Sequence, residues 1–178
     1  MDGPVTNPAN VELRQAAVIA LLMRTQKGPE LALIERSAKL RAHAGQLALP
    51  GGKPEPEDGS LVDTALREAN EEVGLPVTGT KVLGRLGNVP TPSGFVIVPF
   101  VGWAPDGWRP RVASGEVHAV LTPPLSLLAD PSKHRITGRG VWAGLKYELH
   151  EFSIHEPPLW GATARIVWDL LERIEWTP

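Results

Sequence analysis

The 178-residue chain contains no cysteine, which excludes disulfides, thiolate metal sites and cysteine nucleophiles. A charge excess of either sign is also missing. The 18 Lys and Arg residues against 20 Asp and Glu leave a formal net charge of −2, too little basic surface for nucleic acid to be the main partner. There is no long hydrophobic run: the longest, Ala16 to Met23, has eight residues, well short of the roughly 20 a bilayer-spanning helix needs, so no membrane partner is expected. Nor does the start resemble a secretory signal, since Asp2, Pro4, Pro8 and Glu12 stand where a basic start and an apolar middle would be needed. Residues 1–14 therefore read as a flexible lead-in and 15–178 as a single domain, with the cytoplasm as the expected compartment. Aromatics other than tryptophan are scarce, with one Tyr and three Phe beside six Trp. Trp103 and Trp108 read as packing residues ahead of ligand-stacking ones.

Proline and glycine, 18 of each, punctuate the chain. Apolar segments at Ala16–Met23 and Leu31–Glu35 flank a Lys27-Gly28-Pro29 turn and read as strands. Further strands are expected at Val82–Leu86, Phe95–Val101, Val117–Leu121 and Tyr147–Ile154. Helices are expected at 60–73, in a short piece near Leu125–Ala129, and at 162–174, where Ile166, Val167, Leu170, Leu171 and Ile174 share a face. Strands interleaved with two substantial helices suggest an α/β fold with a mixed sheet packed between helices.

The helix at 60–73 breaks a local rule. Ser60 can cap its start, with Asp63 three residues on, Gly74 suits the left-handed residue that ends it, and Leu61, Ala65, Ala69 and Val73 supply an apolar stripe. Its last turns nevertheless carry Glu68, Glu71 and Glu72, where the helix dipole disfavours each carboxylate by roughly 0.3–1 kcal/mol, and Glu68 and Glu72 repel as like charges four apart. Three carboxylates on one patch need a positive partner, and a divalent cation with oxygen ligands is the simplest. Arg67, four residues from both Asp63 and Glu71, can brace a ligand and offset charge. Upstream, Leu47-Ala48-Leu49-Pro50-Gly51-Gly52 reads as a strand entering a tight turn, where glycine lets the backbone of Gly51 or Gly52 approach a metal or phosphate closely.

Together these residues resemble the Nudix box, Gly-x5-Glu-x7-Arg-Glu-hydrophobic-x-Glu-Glu-x-Gly-hydrophobic, laid over residues 52–75. Arg67, Glu68, Ala69, Glu71, Glu72, Gly74 and Leu75 match. The middle departs: Asp58 stands in place of the first Glu, and eight residues instead of seven separate it from Arg67. The preceding segment, Arg36-Ser37-x3-Arg41-x3-Gly45-x3-Leu49-Pro50-Gly51-Gly52, is similar to the extra motif of the coenzyme A diphosphatase branch, which shares the one-residue lengthening. Ala32, Ile34 and Leu49 replace that motif's first Leu, its Thr and its Phe. Trp160-Gly161-Ala162-Thr163-Ala164-Arg165 looks like the Trp-Gly-x-Thr-Ala-Arg of the same branch.

The resemblance implies a Nudix-like α/β/α sandwich that hydrolyses a small nucleotide diphosphate substrate, coenzyme A to 3′,5′-ADP and 4′-phosphopantetheine, with Mg2+ or Mn2+. Glu68 and Glu72 are the principal metal ligands it implies and Glu71 the next. Glu68, Arg67, Glu71 and Glu116 are the catalytic candidates, the general base being open between Glu71 and Glu116. Arg36, Arg41, Gly51, Gly52 and Lys53 are the substrate-binding candidates, since guanidinium groups bind phosphate in bidentate fashion. Arg36 and Arg41 are equally readable as surface charges, and His43 and Gln46 as loop residues. ADP-ribose, NADH or other nucleotide diphosphates are alternative substrates, a nucleotide-sensing module without chemistry is the alternative from another class, and a homodimer is left open.

Overall fold

The computed structural model describes residues 13–40, 43–142 and 145–174. Strand β1 (Arg14–Thr25) is the spine. Its central residues are apolar without alternation, the pattern of a strand covered on both faces. Ala17, Ile19, Leu21 and Met23 enter one core with Leu61, Ala65, Ala69 and Val73 of helix α1 (Leu61–Val73), while Ala20 and Leu22 enter a second with Ala164, Ile166, Val167 and Leu170 of helix α3 (Gly161–Arg173).

Strand β8 (Phe95–Trp103) runs parallel to β1, from Arg14 opposite Phe95 to Leu22 opposite Trp103. The other neighbours in this sheet are antiparallel: β2 (Gly28–Leu31) and the two-residue β5 (Gly51–Gly52) on β1, β6 (Lys81–Arg85) and β7 (Val89–Pro90) on β8. A second sheet joins β3 (Leu33–Arg36) to β4 (Leu47–Ala48) and β9 (Val117–Leu121). A third joins β10 (His134–Trp142), β11 (Leu145–Phe152) and β12 (Leu159–Trp160). Helix α2 is one turn, Leu125–Leu128. Mixed sheets with α1 on one face and α3 on the other make the α/β/α sandwich expected from the sequence.

Two departures have physical causes. Strand β10 was not expected, because Gly138 and Gly140 erase its apolar alternation. Those glycines make room for the partner strand: a side chain on Gly140 would overlap the Tyr147 ring, and one on Gly138 would come within 3.3 Å of Leu149. Strand β6 lies at a sheet edge, with Val82 and Leu83 exposed and only Leu86, beyond its end, buried. The apolar run that predicts the strand thus marks a β-capable edge and not a core position.

Burial decides what substitutions do here. Leu21→Ala, at a side chain with 0% exposure, is expected to cost about 2–5 kcal/mol. Leu83→Ala, at 57% exposure, is expected to fall within about 0.5 kcal/mol of wild type. Urea titration of the two variants checks the contrast.

Candidate functional site

Ser60 caps α1 by accepting the Asp63 amide at 3.3 Å, and its hydroxyl donates to the Asp63 carboxylate at 2.8 Å. This occupies Asp63 and leaves Arg67 to a different acid. The Arg67 guanidinium clamps Asp58 through two parallel bonds, Nε to Oδ1 at 3.0 Å and Nη2 to Oδ2 at 3.1 Å. Asp58 also accepts the Thr64 hydroxyl at 2.8 Å and the Glu55 amide at 2.9 Å. The hydrogen bonds from Arg67, and then that from Glu55, hold its carboxyl well below the usual carboxylate range, and the same pairing raises the Arg67 guanidinium further. From this anchored position Arg67 reaches the Lys53 carbonyl at 3.0 Å, Glu68 at 3.2 Å and Glu71 at 3.3 Å. Asp58 is thus the site residue that sequence reasoning missed. The available signal was its position six residues after Gly52, obscured by the shorter side chain and the extra residue before Arg67.

The three glutamates do not share one environment. Glu72 is 4% exposed, and its Oε2 accepts the Gly51 amide at 2.9 Å. Burial pushes its carboxyl up to about 7; the Gly51 hydrogen bond and Arg36 pull the other way, while Glu68 and Glu116 push with burial. Burial also raises Glu68, against the pull of Arg67. Glu71 is the outlying member, its side chain 54% exposed and paired with Arg67.

The Gly-Gly turn is shaped by this crowding. Gly51 sits at φ 153°, and a side chain there would overlap the Ala17 carbonyl, while one on Gly52 would overlap the Glu68 carboxylate. Strand β5 can lie against β1 only because Gly51 is bare, and the bare Gly52 leaves the Glu68 carboxylate its place.

Arg36, at the end of β3, faces the same carboxylates. Its Nη2 lies 3.9 Å from Glu116, and its Nε is buried without a hydrogen-bond partner among the described residues. The 45–46 turn holds Arg36 in place: the Arg36 amide donates to the Gln46 carbonyl and the Gly45 amide to the Arg36 carbonyl. Glu116 precedes β9, with its carbonyl accepting the Ser37 amide at 2.7 Å. Arg36, Glu68, Glu72 and Glu116 therefore form one electrostatically coupled group.

Other candidates stand apart. Lys53 contributes its carbonyl to Arg67, and its ammonium lies 5.4 Å from the centre of the Phe95 ring. His43 and Gln46 pair with each other at 2.9 Å. Arg41 lies outside the described residues. Arg165 of the C-terminal motif is 3.4 Å from His150, which is buried, stacked against Trp168 and 2.9 Å from His134. A guanidinium only donates, so His150 accepts at Nε2 and donates from Nδ1. This second motif thus packs α3 onto β11.

Part of the positive charge at the helix end comes from elsewhere in the chain. Its own last turn has no basic residue. The Arg111 guanidinium lies against Gly74, whose φ of 67° closes the helix, and Trp108 donates its indole N–H to the Gly74 carbonyl at 3.0 Å.

Because Glu72 ionises at about 7 in the fold and at an ordinary 4.5 when unfolded, the native state binds the extra proton between these values. Its contribution therefore makes stability fall as pH rises through that window. Glu72→Gln keeps an acceptor for Gly51 without the charge. In chelator at pH 8 the variant is expected to be more stable than wild type by roughly 1–3 kcal/mol, a gap that closes towards pH 4.5. Urea melts at the two pH values measure it; a less stable Glu72→Gln at pH 8 contradicts it.

The geometry has counterparts among known proteins. Residues 13–139 match the NUDIX domain family. The uncharacterized Nudix hydrolase NudL of Photorhabdus laumondii is 35% identical over 165 residues, covering 91% of this chain and 86% of that protein. Its namesake in Citrobacter koseri is 38% identical, covering 96% and 88%. Among solved structures, the Nudix hydrolase RenU of M. smegmatis superposes with a TM-score of 0.55 at 22% identity, over 73% of this chain and 84% of that one. The MutT protein of Methanosarcina mazei Go1 gives 0.51 at 26% identity, over 66% and 83%. With its box on α1 and its sheets between α1 and α3, this chain belongs to the Nudix family of hydrolases.

Proposed function

We propose that this Nudix hydrolase cleaves the diphosphate of coenzyme A or a close derivative, releasing 3′,5′-ADP and 4′-phosphopantetheine. The observation that carries the reading is Arg36: a guanidinium from the upstream motif, set against the acidic end of α1 with a buried donor still to be matched. A phosphate oxygen is the acceptor that would complete it.

The donor set suits a hard divalent ion, Mg2+ or Mn2+. Among the described residues no three carboxylate or imidazole groups converge closely enough to cage an ion by themselves. Magnesium keeps several waters and needs only one or two carboxylates plus substrate phosphates, and Glu68 and Glu72 would supply those carboxylates, with Glu71 at their edge. A cation there would polarise the phosphoryl oxygens and lower the pKa of bound water.

The chain's own groups account for the rest of the reaction. Gly51 and Gly52 keep the floor of the site bare. Arg36 binds and orients the diphosphate. Glu116 takes the proton from the attacking water as the P–O–P bond breaks, a role supported by its electrostatic coupling to both Glu68 and Glu72, whereas Glu71 couples to Glu68 alone and is held by Arg67 at 3.3 Å. Arg67 braces Glu68 from Asp58 and the Lys53 carbonyl. No helix among the described residues is long and apolar enough to cross a membrane.

Mass spectrometry of products from coenzyme A, NADH and ADP-ribose, incubated in parallel with magnesium or manganese, tests the substrate. Coenzyme A is expected to be converted fastest; exclusive turnover of ADP-ribose or NADH contradicts the assignment, and no turnover of any diphosphate favours a sensing module. Glu116→Gln is expected to lower kcat by about 10²–10⁴-fold with KM little changed, and unaltered kcat would remove Glu116 as the base.

A further inference from the structure

Glu116 lies far in sequence from the helix whose carboxylates it faces, and the loop before it is fastened to that helix in an unusual way. A helix leaves its last carbonyls without partners. Gly74 and Leu75 turn back onto the carbonyls of Asn70 and Ala69, but those of Glu72, Val73 and Gly74 are reached by the loop after β8. Ala113 donates its amide to Glu72 at 3.1 Å, Arg111 its amide to Val73 at 3.2 Å, and Trp108 its indole N–H to Gly74 at 3.0 Å. Only two residues, Ser114 and Gly115, then separate Ala113 from Glu116. The intervening turn is closed by Ser114, whose hydroxyl accepts the Glu116 amide and whose carbonyl accepts the Val117 amide. On the far side, Ser37 fixes the Glu116 carbonyl.

We infer that Trp108 is a positioning residue for Glu116: its indole N–H, with the two loop amides, clips the 105–116 loop to the end of α1 and so holds the base opposite Glu68 and Glu72. The inference rests on the reading of Glu116 as base. Trp108 suits the task because its ring packs, half-buried, against the core under α1 while its one donor points at the helix end. It therefore acts as a packing and capping residue, and does not stack on a ligand. The clip also couples the two halves of the site, because the residue whose carbonyl Ala113 holds, Glu72, carries the buried carboxylate.

Trp108→Phe keeps an aromatic ring and deletes the donor. In this variant the amides of Ala113 and Ser37 are expected to exchange with solvent about tenfold faster, Ser37 reporting on the far side of Glu116. With the substrate found in the panel above, kcat is expected to fall about tenfold with KM within about twofold, and in a Glu116→Gln background the same substitution is expected to change kcat by less than about twofold. Equal losses in both backgrounds, or unchanged Ser37 exchange, overturn the inference. The exchange measurement needs no substrate, so an inactive wild type would defeat the proposed function while the clip is still decided by Ser37. Should Trp108→Phe fail to fold, Ala113→Pro removes the neighbouring donor of the same clip at an exposed position and is held to the same Ser37 exchange and kinetic outcomes, since proline has no amide of its own to follow.

Discussion

The Gly51 amide donates to a carboxylate with almost no water around it, and the arrangement of the site follows from that contact. Glu72 is four residues from Glu68, at the end of a helix whose dipole opposes it, and buried. Burying a charge is costly unless something pairs with it. One backbone N–H offsets part of that cost, and the carboxyl still sits at about 7. For the N–H to reach it, β5 must lie between β1 and α1, where Gly51 has no room for a side chain against β1 and a side chain on Gly52 would displace the Glu68 carboxylate. Turn, strand and helix end are consequences of one contact.

Positive charge is distributed around this acid without neutralising it. Arg67 is pinned by Asp58 and serves Glu68 and Glu71, Arg111 covers the helix end at Gly74, and Arg36 comes from β3 towards Glu116. Each cation already has a carboxylate or a packing position of its own, so the buried carboxyl keeps a net demand for a cation. In the proposed reading a divalent ion would answer that demand. The same economy applies to the backbone: the carbonyls that α1 leaves over become attachment points for the loop that brings Glu116.

Much of this was readable from the chain because the signals are local. The period-four stripe from Leu61 to Val73, the Ser60 cap and the Gly74 stop define α1 without tertiary information, and misplaced glutamates are evident against the dipole rule. What escaped depends on contacts distant in sequence. Asp58 reads as a broken motif unless its grip by Arg67 is known, and the packing role read for Trp108 does not reveal that its N–H caps the Gly74 carbonyl. Strand β10 was hidden because its glycines answer to Tyr147 and Leu149 on the partner strand, and the apolar run of β6 could not reveal that it lies at an edge.

The central claim is that the buried carboxylate of Glu72 is kept for a divalent cation. Titration of the metal-free protein with Mn2+, followed by electron paramagnetic resonance, tests it most directly. Saturable binding by the wild-type protein that is lost in a folded Glu72→Gln variant is the expected result, and equal binding by both proteins would contradict the account.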